Sequence, residues 1–150
     1  MENEALAIKT KIQILKPAQE VFEAIINPDK MCNYFIAKGS AVMDSEETVI
    51  WSFPEFDGEF PVKVQQVKPN SFISFYWDNE SVETLVEITL EAVGDNTLVT
   101  VTEKEMPNTK AGISWLKGNT EGWANFLACL KAYTEYGINL RKGAFDYMKG

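Results

Sequence analysis

Glu103 is the residue with the most chemistry to offer. It closes an every-other-residue series, Thr97, Val99, Val101 and Glu103, which puts all four on one face of a strand. If that face is the inner one, a carboxylate points into apolar surroundings, where it must be paired or hydrogen-bonded. It could then orient a polar group of a ligand, or act as a general acid or base. If the strand has frayed by residue 103, the carboxylate meets water instead. The aromatic residues Trp51, Phe53, Phe60, Phe75, Trp77, Trp123 and Phe126 fall on strand-like runs and on a late helical run. They read as the wall of an apolar pocket or as plain core. A buried indole needs a partner for its N–H, which makes Trp51, Trp77 and Trp123 the leading pocket candidates. Phe53, Phe60, Phe75, Val99, Val101, Glu103 and Leu127 complete the candidate set. Trp115 and Leu116 stand in a Gly- and Lys-bearing stretch. They read as a lid over the pocket mouth, or as a small cluster sealing one end of the core.

Much other chemistry is excluded by composition. The chain has no histidine, so Ser–His and Cys–His nucleophile pairs and histidine metal ligands are ruled out. Cys32 and Cys129 lie far apart, outside any CxxC pair, and no base or cationic cluster adjoins them. They read as two buried thiols in a reducing compartment. Gly112, Gly118 and Gly122 lack the spacing of a phosphate-binding loop, and the scattered carboxylates form no EF-hand. No catalytic residue, metal or cofactor is expected.

The net charge of −8 repels phosphate backbones and anionic lipid, so neither nucleic acid nor a membrane surface is an expected partner. The acidic start, Met1-Glu2-Asn3-Glu4, lacks the apolar core of a signal peptide, and no apolar run is long enough to span a bilayer. Cytoplasmic residence is the expectation.

The elements that would position these residues follow from periodicity. Residues 6–15 alternate, with Leu6, Ile8, Ile12 and Ile14 on one side and Lys9, Lys11 and Gln13 on the other. Pro17 suits the first position of a helix carrying Val21, Phe22, Ile25 and Ile26. Asn27-Pro28-Asp29 ends it and caps a second short helix with Met31, Tyr34 and Phe35 inside. Strand-like runs cover 38–43, 48–53, 59–68, 72–78, 81–92 and 97–104, with turn clusters between them. Residues 106–118 read as irregular, residues 119–137 as a long helix with Gly137 as its C-cap, and 138–150 as a short amphipathic or frayed tail. One domain spans 1–150. The class is α+β: a curved antiparallel sheet wrapped around a long C-terminal helix, with two short helices after the first strand. A helix cannot fill a curved sheet evenly, so an apolar gap is expected between them.

The order and landmarks of the chain resemble the START-like, or helix-grip, superfamily (the Bet v-like architecture). The branch they resemble is the domain related to activators of the heat-shock-protein-90 ATPase. The residues that carry the resemblance are Pro17 with Val21-Phe22 and Ala24-Ile25, Asn27-Pro28-Asp29-Lys30, Gly58-Glu59-Phe60, the segment Val64 to Pro69, and Phe75-Tyr76-Trp77. Asn96-Thr97 with Val99 and Val101, then Glu121-Gly122-Trp123, Leu127, Leu130 and Lys131, continue it. Tyr34 departs from the Trp common in relatives. The resemblance implies a non-catalytic domain that holds a small hydrophobic ligand. It also implies two alternatives: a co-chaperone that meets a chaperone or other protein partner, and an enzyme similar to polyketide cyclases.

Overall fold

A computed structural model describes residues 4–79 and 81–149. Residues 1–3, Glu80 of one expected turn, and Gly150 lie outside the described residues. The elements run β1 (Leu6–Ile14), α1 (Ala18–Ile26), α2 (Pro28–Met31), β2 (Lys38–Gly39), β3 (Thr48–Phe53), β4 (Phe56–Lys68), β5 (Phe72–Asn79), β6 (Val82–Val93), β7 (Asn96–Met106) and α3 (Lys110–Tyr136), then a 3-10 turn at Asp146–Met148. The strands form one seven-stranded sheet in the order β1-β7-β6-β5-β4-β3-β2, and every pairing is antiparallel. This is the expected α+β helix-grip arrangement.

Alternation builds the sheet. In β1, Ile8 and Ile14 are buried while Lys9, Lys11 and Gln13 face water. In β7, Thr97, Val99, Val101 and Glu103 are all fully buried. Register shifts between Leu6 and Ala7, Trp51 and Phe53, and Val64 and Gln66 interrupt the ladders. Such irregularities bend a strand and increase its twist. The buried stripe of α3, Trp123, Phe126, Leu127 and Leu130, joins the side chains of the sheet's inner face in one core.

Local chemistry sets most boundaries. The Asn27 side chain accepts from the Asp29 N–H at 3.0 Å and caps α2, with Pro28 at its first position. Pro17 stands just ahead of α1 as its N-cap rather than inside it. The Tyr34 hydroxyl donates to the carbonyl of Ala24 at 2.7 Å, satisfying an acceptor in the last turn of α1. Gly137 closes α3 in the left-handed conformation, φ 67°.

Three expectations are corrected. The stretch 106–118 is not irregular, because α3 begins at Lys110, nine residues before the expected start at 119. The Thr109 side chain accepts from the Gly112 N–H and caps it, and the glycines at 112, 118 and 122 that disguise the periodicity are all accommodated in the helix. The expected strand 38–43 shrinks to two residues. Cys32 is exposed, not buried, whereas Cys129 is buried as expected.

Candidate functional site

The inner face of the sheet meets α3 through one carboxylate. Glu103 is 0% exposed. Its Oε2 accepts from Trp77 Nε1 at 2.8 Å, Thr84 Oγ1 at 2.6 Å and Asn79 Nδ2 at 3.1 Å, all on β5 and β6. Its Oε1 accepts from Trp123 Nε1 at 2.7 Å and Asn119 Nδ2 at 3.1 Å, both on α3. A carboxylate has about four lone-pair positions to offer, and five donors converge on them. One side chain of β7 thereby ties β5, β6 and α3 together and answers the N–H of two indoles. Asn79 Nδ2 also donates to Thr84 Oγ1 at 2.7 Å, which knits the donors to one another.

Beside this knot lies a cavity of about 360 Å³, open to solvent. Phe35, Phe53, Phe60, Trp77 and Trp123 are among the residues that line it. Asn79, Asn119 and Asn125 contribute neutral polar groups to the lining, and Asp78 and Glu121 contribute carboxylates. The aromatic rings pack on one another mostly edge to face: Trp77 and Trp51 are 6.1 Å apart between centroids, Phe35 and Phe53 5.3 Å, and Phe53 and Phe60 5.5 Å.

The remaining side is built by the chain after α3. Arg141 lies with its guanidinium carbon 4.8 Å from the Phe145 ring, 5.4 Å from Phe35 and 6.0 Å from Phe53. Its Nη2 donates to Glu55 Oε1 at 2.7 Å, an ion pair with both side chains largely buried. Phe145, Tyr147 and Met148 continue this side of the cavity. A second cavity of about 340 Å³ lies on the other side of the same tail. Cys32, Glu55, Arg141, Lys142 and Asp146 are among the residues around it, and it is more polar.

The candidates from sequence are distributed as follows. Phe53, Phe60, Trp77 and Trp123 line the open cavity. Trp51, Phe75, Val99, Val101 and Leu127 are buried in the core and do not line it. Glu103 sits behind the two indoles, closed off from the cavity by the donors it serves. Trp115 and Leu116 are half-buried on the early part of α3, packed against the core, and not in a loop. Arg141, Phe145 and the three asparagines escaped sequence reading. Arg141 and Phe145 sit in a segment without periodicity. A hint of Glu55 was present, as a lone acid between Phe53 and Phe56 in a tight turn.

Among the described residues, no group of three or more Cys, Asp and Glu side chains is placed to hold a metal ion. No helix there is long and apolar enough to cross a membrane.

The family model described as Activator of Hsp90 ATPase homolog 1-like protein matches residues 16–135. No curated protein matches the chain by sequence. Among solved structures, protein SSP2350 of Staphylococcus saprophyticus is 30% identical, with 91% of this chain and 96% of that one covered and a TM-score of 0.79. DynU16, from the dynemicin biosynthetic locus, is 25% identical, covering 88% of this chain and 48% of that one, TM-score 0.78. The Aha1 dimer of Colwellia psychrerythraea is 21% identical over 88% of this chain and 98% of that one, TM-score 0.75, a likeness of fold.

Proposed function

Because the chain belongs to the activator of Hsp90 ATPase homolog 1-like family, we propose that it is a non-catalytic helix-grip domain that holds a small hydrophobic ligand in the open cavity between the sheet and α3. The observation that carries this reading is the aromatic wall of Phe35, Phe53, Phe60, Trp77 and Trp123 around about 360 Å³ of space. That volume suits a small molecule. The walls are rigid, since both indoles are held by their nitrogen ends on Glu103. The same carboxylate argues against catalysis. Glu103, the acid or base that sequence singles out, has both oxygens committed to protein donors and does not line the cavity.

The test is binding of N-phenyl-1-naphthylamine, a neutral apolar dye that brightens when sheltered from water. Its fluorescence should rise on addition of the protein. Phe60→Ser, inside the cavity, should weaken the effect, while Leu140→Ser, on the exposed tail, should not. An absent signal, or one that Phe60→Ser leaves untouched, overturns the reading.

A second reading, contact with a chaperone ATPase or another protein, is favoured by the family's description and by the exposed apolar residues Tyr136, Ile138 and Leu140 at the end of α3. Stimulation of such an ATPase, lost in Ile138→Asp but kept in Phe60→Ser, would support it. No stimulation ends it.

A further inference from the structure

Given that the cavity holds a ligand, we infer that it selects an organic cation: an ammonium or amidinium group carried on an apolar body. The inference rests on that reading and on four observations.

The first is the surface on offer. The indole N–H groups of Trp77 and Trp123 are consumed by Glu103, so neither is left to donate to a guest. What remains is aromatic ring, and a ring face attracts positive charge.

The second is the carboxylate behind those rings. Glu103 makes no ion pair among the described residues. Both indole N–H groups point at it, and a hydrogen bond to a carboxylate draws the N–H dipole toward the acceptor and leaves the ring richer in electrons. Of the two, Trp77 is the more open, Trp123 being 4% exposed; the Trp77 ring lines the cavity as a better partner for a cation, and the field of the carboxylate adds to the attraction.

The third is the tally of charge around the opening. Asp78 and Glu121 line it, and among the described lining residues the only basic side chain is Arg141, which is neutralised by Glu55. An anionic guest would meet two carboxylates, Asp78 and Glu121, with no free cation among the described lining residues to answer it, within a protein whose net charge is already −8.

The fourth is that a cation already sits against these rings. The Arg141 guanidinium lies within 6.0 Å of three ring centroids, and its Nε is buried without a hydrogen-bond partner. The chain fills one corner of the cavity with its own positive group, held by ring faces and one carboxylate. Further rings, Phe60, Trp77 and Trp123 among them, line the rest of the cavity.

Three probes of one shape separate charge from apolarity: phenyltrimethylammonium, its neutral isostere tert-butylbenzene, and benzenesulfonate. Each competes against bound N-phenyl-1-naphthylamine at low salt. The cation should bind about 5-fold or more tighter than the neutral isostere, the range expected of a partly desolvated cation–π contact, and benzenesulfonate should bind weakest. Asp78→Asn with Glu121→Gln should lower the preference for the cation over tert-butylbenzene. If tert-butylbenzene binds as well as the cation, or benzenesulfonate binds better, the cation inference is wrong and the hydrophobic cavity stands. If neither the dye nor any probe binds, both readings fall.

Discussion

Trp123 on α3 and Glu103 on β7 are joined by a hydrogen bond of 2.7 Å between indole nitrogen and carboxylate oxygen. It is the shortest of the five that end on Glu103 save that of Thr84. The helix is thus fixed to the sheet by a polar bond inside an apolar core, and the consequences can be measured.

Glu103→Gln keeps the size of the side chain but turns one oxygen into an N–H donor, facing donors. At least one strong hydrogen bond to a charged acceptor is lost and buried donors are left unanswered. The loss should be about 3 kcal/mol, read from urea unfolding. Near-UV circular dichroism should change as well, because two indoles lose their anchors. Wild-type stability in this variant would show that the network contributes little.

Tyr34 should make the fold sensitive to alkali. Burial, with smaller pushes from Tyr133 and Cys129, raises its hydroxyl well above the ordinary tyrosine value. As pH climbs past about 10, the unfolded chain gives up this proton while the folded chain keeps it. The folded state then binds more protons, so stability falls with rising pH and is full below that point. Tyr34→Phe should lose about 1 kcal/mol at neutral pH, from the bond to the Ala24 carbonyl, and should decline less steeply above pH 10. Parallel pH profiles would rule this out.

Glu135 acts at the other end of the scale. Burial works against its charged form, but the Leu15 N–H, donating at 2.8 Å, and the hydrogen bond and charge of Lys131 outweigh it and hold the carboxyl below its ordinary value. On acidification the unfolded chain takes up the proton first. The contribution is therefore full above the ordinary carboxylate range and is lost as pH falls through and below it. Glu135→Gln should flatten that acid limb and cost roughly 1 kcal/mol at neutral pH. An unchanged acid limb in thermal melts would refute it.

The glycines of α3 should respond in opposite directions to alanine. A Cβ at Gly112 would lie 2.1 Å from the Pro107 carbonyl oxygen, with Leu6 and Met106 also close. Backbone must move to admit it, and Gly112→Ala should lose about 2 kcal/mol or more. At Gly118 a Cβ meets nothing within 4 Å, so Gly118→Ala should gain about 1 kcal/mol from helix propensity alone. Equal effects at the two sites would contradict the packing described.

These glycines also mark where sequence reading reached its limit. The alternation in β1 and β7 was legible because burial repeats every second residue, and the Asn27 and Gly137 caps were legible because their types match their backbone roles. The first turns of α3 were not, since three glycines at 112, 118 and 122 dilute its apolar stripe and Thr109 announces the helix with a single side chain. For Glu103, sequence left open whether the carboxylate turned inward or met water, and it left the partners unnamed. Trp77, Thr84 and Trp123 lie 26, 19 and 20 residues away, and only the sheet register and the lie of α3 bring them together. Arg141 is further out of reach, as Glu55 is 86 residues distant, and nothing periodic in the tail signals the meeting.

The two indoles that converge on one carboxylate are pinned at the end that would otherwise swing. Their rings lie 5.6 Å apart between centroids, so a single residue sets the placing of both, and any change at Glu103 would unfix strand and helix together.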